Sequence, residues 1–254
     1  MPFTPVEGAE LFYEVTGDGP DAIVFVHGAG GNHLIWYQQV AYFSRRYRCI
    51  TYDQRSYGLS KDQSGEAWLA LSRDLLGLLD SLEIPRAFLV AQSLGGFACF
   101  RLAAEHPDRV QKLVMAGTAL GVTDQLAAEM SANQQARREQ GRAIFSSGFM
   151  AANSPSLTLY RQIAGLNPPF DDRTAQQPPA MDQSALSVFR VPVLFIAGDE
   201  DPLSSLSMMV RAADAVPGAR LEIMRGAGHP TYWERPDAFN HLVESFFGPA
   251  TSGR

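Results

Sequence analysis

Three stretches of the chain are apolar without interruption: Ile23-Val24-Phe25-Val26, Phe88-Leu89-Val90 and Val193-Leu194-Phe195-Ile196-Ala197. Short uninterrupted apolar runs of this kind predict strands buried on both faces of a sheet. Residues 9–16, 48–53, 110–115 and 221–224 read as further strands, and Gly17-Asp18-Gly19-Pro20 as the turn leading into the strand at 21–27. Between these runs the period lengthens. Residues 36–47 read as a helix. Over 66–82, Trp68, Leu69, Leu71, Leu75, Leu76, Leu78 and Leu79 take helical spacing, interrupted by Gly77 at a modest cost and stopped by Pro85. Another helix follows the second run and ends before Pro107. Strands alternating with helices predict an α/β fold with a largely parallel sheet covered on both faces.

After Gly117 the pattern changes. Residues 122–190 are rich in Ala, Gln, Ser, Met and Pro and show no strand periodicity. Thr123 to Gln140 and Ser156 to Ala164 read as helices, and Pro168-Pro169 and Pro178-Pro179 as turns. A structureless stretch of this length is uncommon inside a domain, so packed helices are expected here.

Composition narrows the class. With 254 residues, 46% of them hydrophobic, the chain suits one large core better than two small domains. A formal net charge of -6 gives no overall attraction for nucleic acid or an anionic membrane. Arg45-Arg46 and Arg137-Arg138 read as solvated helix faces. The two cysteines, Cys49 and Cys99, read as buried free thiols. The N-terminus lacks a basic region followed by an apolar one, and no apolar run is long enough to span a bilayer. A cytoplasmic location is expected.

The chemistry begins where the second apolar run enters Ala91-Gln92-Ser93-Leu94-Gly95-Gly96. A strand turning sharply into a helix, with serine at the apex and small residues two before and two after it, is the layout of a nucleophile elbow. The same letters also suit an ordinary helix N-cap. The third run leads into Gly198-Asp199-Glu200-Asp201-Pro202, and the strand at 221–224 into Gly226-Ala227-Gly228-His229. A serine, an acid and a histidine thus each follow the carboxyl end of a predicted strand, where open parallel sheets form their sites. The first run ends in His27-Gly28-Ala29-Gly30-Gly31, a turn that can carry a backbone N–H close to a substrate oxygen. His27 itself reads as a residue pinning that loop.

With these segments, together with YDQRSYGLS at 52–60 and GHPTYWERPDAFN at 228–240, the chain resembles the α/β-hydrolase superfamily. More narrowly it resembles the capped serine hydrolases, which include esterases, lactonases and carbon–carbon bond hydrolases. Ser56 stands where that family's turn usually has glycine. The resemblance implies a mostly parallel, eight-stranded-type sheet, a core of residues 1–118 and 191–254, and a helical cap at 119–190. It implies Ser93 as nucleophile, His229 as base and Asp201 as the acid orienting it, with the N–H groups of Ala29 and Leu94 as oxyanion hole. Asp199 reads as a turn-capping residue, and Asp124 as a less favoured acid. His33, His106 and His241 read as surface or packing residues.

The expected reaction is hydrolysis of a small, largely apolar carboxylic ester or lactone through an acyl-enzyme, with a small-molecule substrate and neither nucleic acid nor membrane as partner. Pro230 stands where the carbon–carbon hydrolases carry tryptophan after the histidine, which ranks that chemistry second. A cofactor-free oxygenase, which needs the His–Asp pair but no serine, and a non-catalytic ligand receptor rank below both. No ligand spacing for a metal and no G-x-G-x-x-G opening a helix occur, so neither metal nor dinucleotide is expected.

Overall fold

The computed structural model describes residues 2–152, 155–169 and 176–248. Its strands are β1 (Phe3–Val6), β2 (Ala9–Thr16), β3 (Ala22–Val26), β4 (Arg48–Tyr52), β5 (Lys61–Asp62), β6 (Ala87–Gln92), β7 (Val110–Ala116), β8 (Val193–Gly198) and β9 (Arg220–Met224). They join in one sheet in the order β1-β2-β4-β3-β6-β7-β8-β9, with the two-residue β5 pairing on β2. The pairs from β4 to β9 are parallel, and those of β1, β2 and β5 antiparallel. Strands β3, β6 and β8 are buried at every position, as their uninterrupted apolar runs require.

The helices are α1 (Tyr37–Phe43), α2 (Leu71–Ser81), α3 (Gly95–Glu105), α4 (Asp124–Glu139), α5 (Ser147–Ala151), α6 (Pro155–Ala164), α7 (Gln183–Ser187), α8 (Leu206–Ala215), α9 (Thr231–Glu234) and α10 (Pro236–Phe247). They split the core into two apolar layers. Val24 and Val26 of β3 point into the layer with Leu75 of α2, Phe97 of α3 and Met208 of α8. Ile23 and Phe25 point into the layer with Phe43 of α1 and Phe239 of α10. The period-2 alternation of a strand is what lets one apolar run feed both layers. Cys99 lies in the first layer and Cys49 in the second; both are free thiols, and burial pushes the Cys49 thiol up to about 12.

From β3 the chain moves to β4 on one side and then crosses to β6 on the other. The gap between β3 and β6 is therefore the topological switch point, the crevice where such sheets bind ligands. Between β7 and β8 lie α4 to α7. Of this segment, residues 153, 154 and 170–175 fall outside the described residues. Helix α4 starts where Thr123 accepts from the N–H of Leu126. It buries only Leu126, Ala127 and Met130, so its polar sequence faces outward along most of its length. Among the described residues no helix is long and apolar enough to cross a membrane.

The loop at 52–60 is held from below. The Arg55 side chain is fully buried, and its Nε and Nη2 each donate to one oxygen of Asp74 at 2.6 Å. Its remaining donors reach Ser64 Oγ, Asp62 Oδ1 and the carbonyl of Glu7. Burial works against charge on both partners: it pushes the Asp74 carboxyl up and opposes the Arg55 cation. We take the pair as ionised, because both carboxylate oxygens accept from the guanidinium fork. Removing one partner would leave an uncompensated buried charge. Asp74→Ala is therefore expected to cost about 3–5 kcal/mol, read as a lower urea midpoint with an unchanged m-value; an unchanged midpoint would contradict this account.

Candidate active site

Register brings the carboxyl ends of five parallel strands level. Val26 pairs with Ala91, Gln92 with Ala116, Ala116 with Ile196, and Gly198 with Met224. The segments beyond those ends carry Ala29, Ser93, Leu94, Asp201 and His229.

Ser93 follows β6 directly. Its φ is +48°, in the left-handed region that a residue with a Cβ rarely enters. The turn is fixed by Ser93 N–H donating to Ala116 O at 3.2 Å, and by Gly96 N–H donating back to Ser93 O. Gly95 explains the need for a small residue two positions on: a Cβ there would lie 2.6 Å from the carbonyl oxygen of Val26. Leu94 is the N-cap of α3, at the end of a helix where N–H groups lack intrahelical partners.

His229 and Asp201 meet. Nδ1 of His229 lies 2.8 Å from Oδ2 of Asp201, and both side chains are almost fully buried. A carboxylate only accepts, so Nδ1 carries the proton and Nε2 is left as the basic nitrogen. The other oxygen of Asp201 accepts from the N–H groups of Leu203 and Ser204, which sets the carboxylate's rotation. Gly117, with φ +55°, passes so close beneath that a Cβ would sit 3.2 Å from both Asp201 Oδ2 and His229 Nδ1. Ser204 Oγ donates to Gly117 O at 2.6 Å, tying the acid loop to the end of β7. Ser93 is bonded to Ala116, the neighbour of Gly117, so the three segments are contiguous.

Ala29, Ser93 and Leu94 line one cleft of about 620 Å³. Gly28 abuts the side chain of Gln92 and the Cβ of Ser93, which places the 27–31 loop against the elbow. His27 pins that loop, as the sequence suggests. Burial pushes its pKa down, and the neutral ring fits its contacts: Nδ1 donates to Gly28 O and Nε2 accepts from Gln54 N–H.

The remaining candidates lie elsewhere. Asp199 accepts from Gly226 N–H at 2.6 Å, a turn contact. Asp124 accepts from Ala180 N–H. His33 forms a second His–Asp pair, with Asp53 at 2.8 Å, but Asp53 is also engaged by the N–H groups of His33 and Leu59. His106 ends α3, and His241 packs on Tyr42.

Several participants carry no clear mark in the sequence. Trp68, read only as part of a helix face, lines the cleft. The segment between β7 and β8 touches the site loops directly: His229 N–H donates to Ile144 O at 2.8 Å, and Asn32 Nδ2 donates to Ile163 O at 2.9 Å. Ser146, the N-cap of α5, and Ser147, its first residue, have side-chain partners, Glu234 and Glu200, far away in sequence.

Comparison with known proteins identifies the family and the fold. The sequence profile of the alpha/beta hydrolase family matches residues 23–242. A 3-oxoadipate enol-lactonase of Acinetobacter baylyi is 31% identical over 237 residues, covering 88% of this chain and 87% of the relative. Among solved structures, Est816, an N-acyl homoserine lactone degrading enzyme, superposes with a TM-score of 0.81 at 26% identity, covering 96% of this chain and 100% of its own. An enol-lactonase from Burkholderia xenovorans gives 0.76 at 27% identity, covering 97% and 99%.

The two aspartates on one turn have separable contacts. Asp201→Asn is expected to lower aryl-ester turnover by roughly 10⁴-fold, the cost of a wrong histidine tautomer, with the fold kept. Asp199→Asn should be mild. Steady-state kinetics on both variants checks the order, and the reverse ranking would move the acid to Asp199.

Proposed function

The chain belongs to the alpha/beta hydrolase family, and on that premise we propose that it is a serine hydrolase cleaving a small, largely apolar carboxylic ester or lactone through an acyl-enzyme. The observation that carries this reading is the buried His229–Asp201 contact at 2.8 Å, contiguous with a strained serine that opens on a cleft.

In this reading Ser93 Oγ attacks the carbonyl carbon while Nε2 of His229 takes its proton. Asp201 keeps the imidazole in the Nδ1–H form and stabilises the imidazolium. The N–H groups of Ala29 and Leu94 hold the developing oxyanion, a contribution of roughly 3–4 kcal/mol for a single donor. The imidazolium then protonates the leaving alkoxide. Water, deprotonated by the same nitrogen, releases the acid and restores Ser93.

The cleft supports an apolar substrate. Trp68, Phe97, Leu120, Met130 and Leu203 form its apolar wall, and polar and charged side chains, Arg138 and Glu139 among them, its border. The two enol-lactonases and the acyl homoserine lactone degrading enzyme among the relatives support an ester or lactone. Residues 119–190 serve as the cap, with α4 contributing the wall that contacts the acyl portion.

Two outcomes follow. A fluorophosphonate should add to Ser93, and p-nitrophenyl butyrate should be hydrolysed without dioxygen. Both should be abolished in Ser93→Ala. Dioxygen consumption, or turnover of a vinylogous diketone with aryl esters untouched, would replace this reading. Met130→Ala widens the wall on α4 and should change the ratio of kcat/KM between butyrate and octanoate esters by roughly tenfold. An unchanged ratio in the folded variant would remove α4 from acyl selection.

A further inference from the structure

The histidine and its acid stand on different loops, and one short piece of the insertion is bonded to both. On the histidine side, Oε1 of Glu234 accepts from Gly228 N–H at 3.2 Å and from Ser146 N–H at 3.0 Å. Its Oε2 accepts from Ser146 Oγ at 2.5 Å. The residue after Gly228, His229, donates its own N–H to Ile144 O at 2.8 Å. On the acid side, Oε2 of Glu200, the neighbour of Asp201, accepts from Ser147 N–H at 2.7 Å and Ser147 Oγ at 2.8 Å. Residues 144–147 therefore span from the histidine loop to the acid loop.

The packing leaves no slack on the histidine side. A Cβ on Gly228 would lie 2.6 Å from Ile144 O and Ser146 N, and 2.7 Å from Glu234 Oε1. Ser146 is 1% exposed. Three donors converge on one carboxylate, and an acceptor-only group satisfies them all without rotation. Truncating it would leave two backbone N–H groups without their partner next to His229, in a region with little access to water.

We propose that Glu234 is a positioning residue that anchors Ser146 and thereby braces the His229 loop against the Asp201 loop, fixing the imidazole for proton transfer. The proposal rests on the serine-hydrolase reading for its catalytic consequence. It assigns residues 144–147 to the catalytic scaffold, whereas α4 belongs to the substrate wall. Burial pushes the Glu234 carboxyl up, opposed by the bonds from Ser146 and Gly228 and reinforced by the charge of Glu200. Nothing in the brace requires the negative charge. A glutamine keeps one oxygen for the two N–H groups and turns its NH₂ toward Ser146 Oγ, where the hydroxyl can accept.

The test uses the 254-residue chain with two readouts: p-nitrophenyl butyrate kinetics, and the proton NMR signal of the His229 Nδ1–H held by Asp201, one of five histidines. Glu234→Ala should lower kcat by about tenfold or more with KM within about twofold, as expected for a misplaced base. It should also weaken the Nδ1–H signal, because a loosened imidazole loses contact with Asp201. Glu234→Gln should restore both values most of the way. Ser146→Ala changes no charge and removes one hydroxyl, so a smaller loss of the same sign there separates geometry from electrostatics. It also decides the matter if Glu234→Ala does not fold. Wild-type values in both Glu234→Ala and Ser146→Ala would overturn the brace. So would a glutamine variant as impaired as the alanine one beside an unaffected Ser146→Ala. If the wild type hydrolyses no ester, the functional reading fails, and the Nδ1–H signal still tests the brace.

Discussion

The carboxyl edge of this sheet depends on one strained backbone, that of Ser93. A left-handed φ at a residue with a Cβ costs on the order of 1–3 kcal/mol and persists only where its surroundings over-determine it. Here β6 is buried along its whole length, the Ser93 N–H is committed to β7, and the following turn is pressed against the carbonyl of Val26 at the end of β3. Relaxing the turn would require moving three central strands. The hydroxyl is therefore held above the sheet by the same packing that stabilises the fold.

The partners of Ser93 arrive by register. Parallel strands end level, so loops that are distant in sequence leave the sheet side by side. The loop after β3 lies against the elbow, Gly117 passes under the imidazole, and the acid and histidine loops close over it. Each approach is within van der Waals distance of backbone. The insertion between β7 and β8 then adds material above this edge without interrupting the sheet. It does so in two ways, with α4 along the cleft and Ile144, Ser146, Ser147 and Ile163 bonded to the loops.

Much of this is legible in sequence, and the exceptions have physical causes. Strands β3, β6 and β8 announce themselves because burial on both faces demands apolar residues at every position. The elbow is legible because its small residues, Ala91 and Gly95, sit at fixed spacing about Ser93, although the carbonyl that excludes a Cβ at Gly95 belongs to the distant Val26. Strand β1 is not: Phe3–Val6 is an edge strand containing Pro5, and it pairs only because β2 offers it a register. Gly77 reads in sequence as a weak point of α2. In space it is a contact, since a Cβ there would lie 2.9 Å from Cγ1 of Val6. The bonds of Glu234 and Glu200 to Ser146 and Ser147 depend on how the insertion returns to the core, and no local pattern encodes that path. Arg55 and Asp74 also meet through folding alone, 19 residues apart.

The placement of the two thiols has a use in measuring how this molecule breathes. Cys99 belongs to one apolar layer and Cys49 to the other, and burial holds both protonated and shielded. A thiol reagent can reach either only when its own layer opens. The modification rate of each cysteine thus reports the opening free energy of one side of the sheet. Equal rates would mean that both layers come apart together as one cooperative unit. Unequal rates would identify the side that yields first, without any probe being added to the chain.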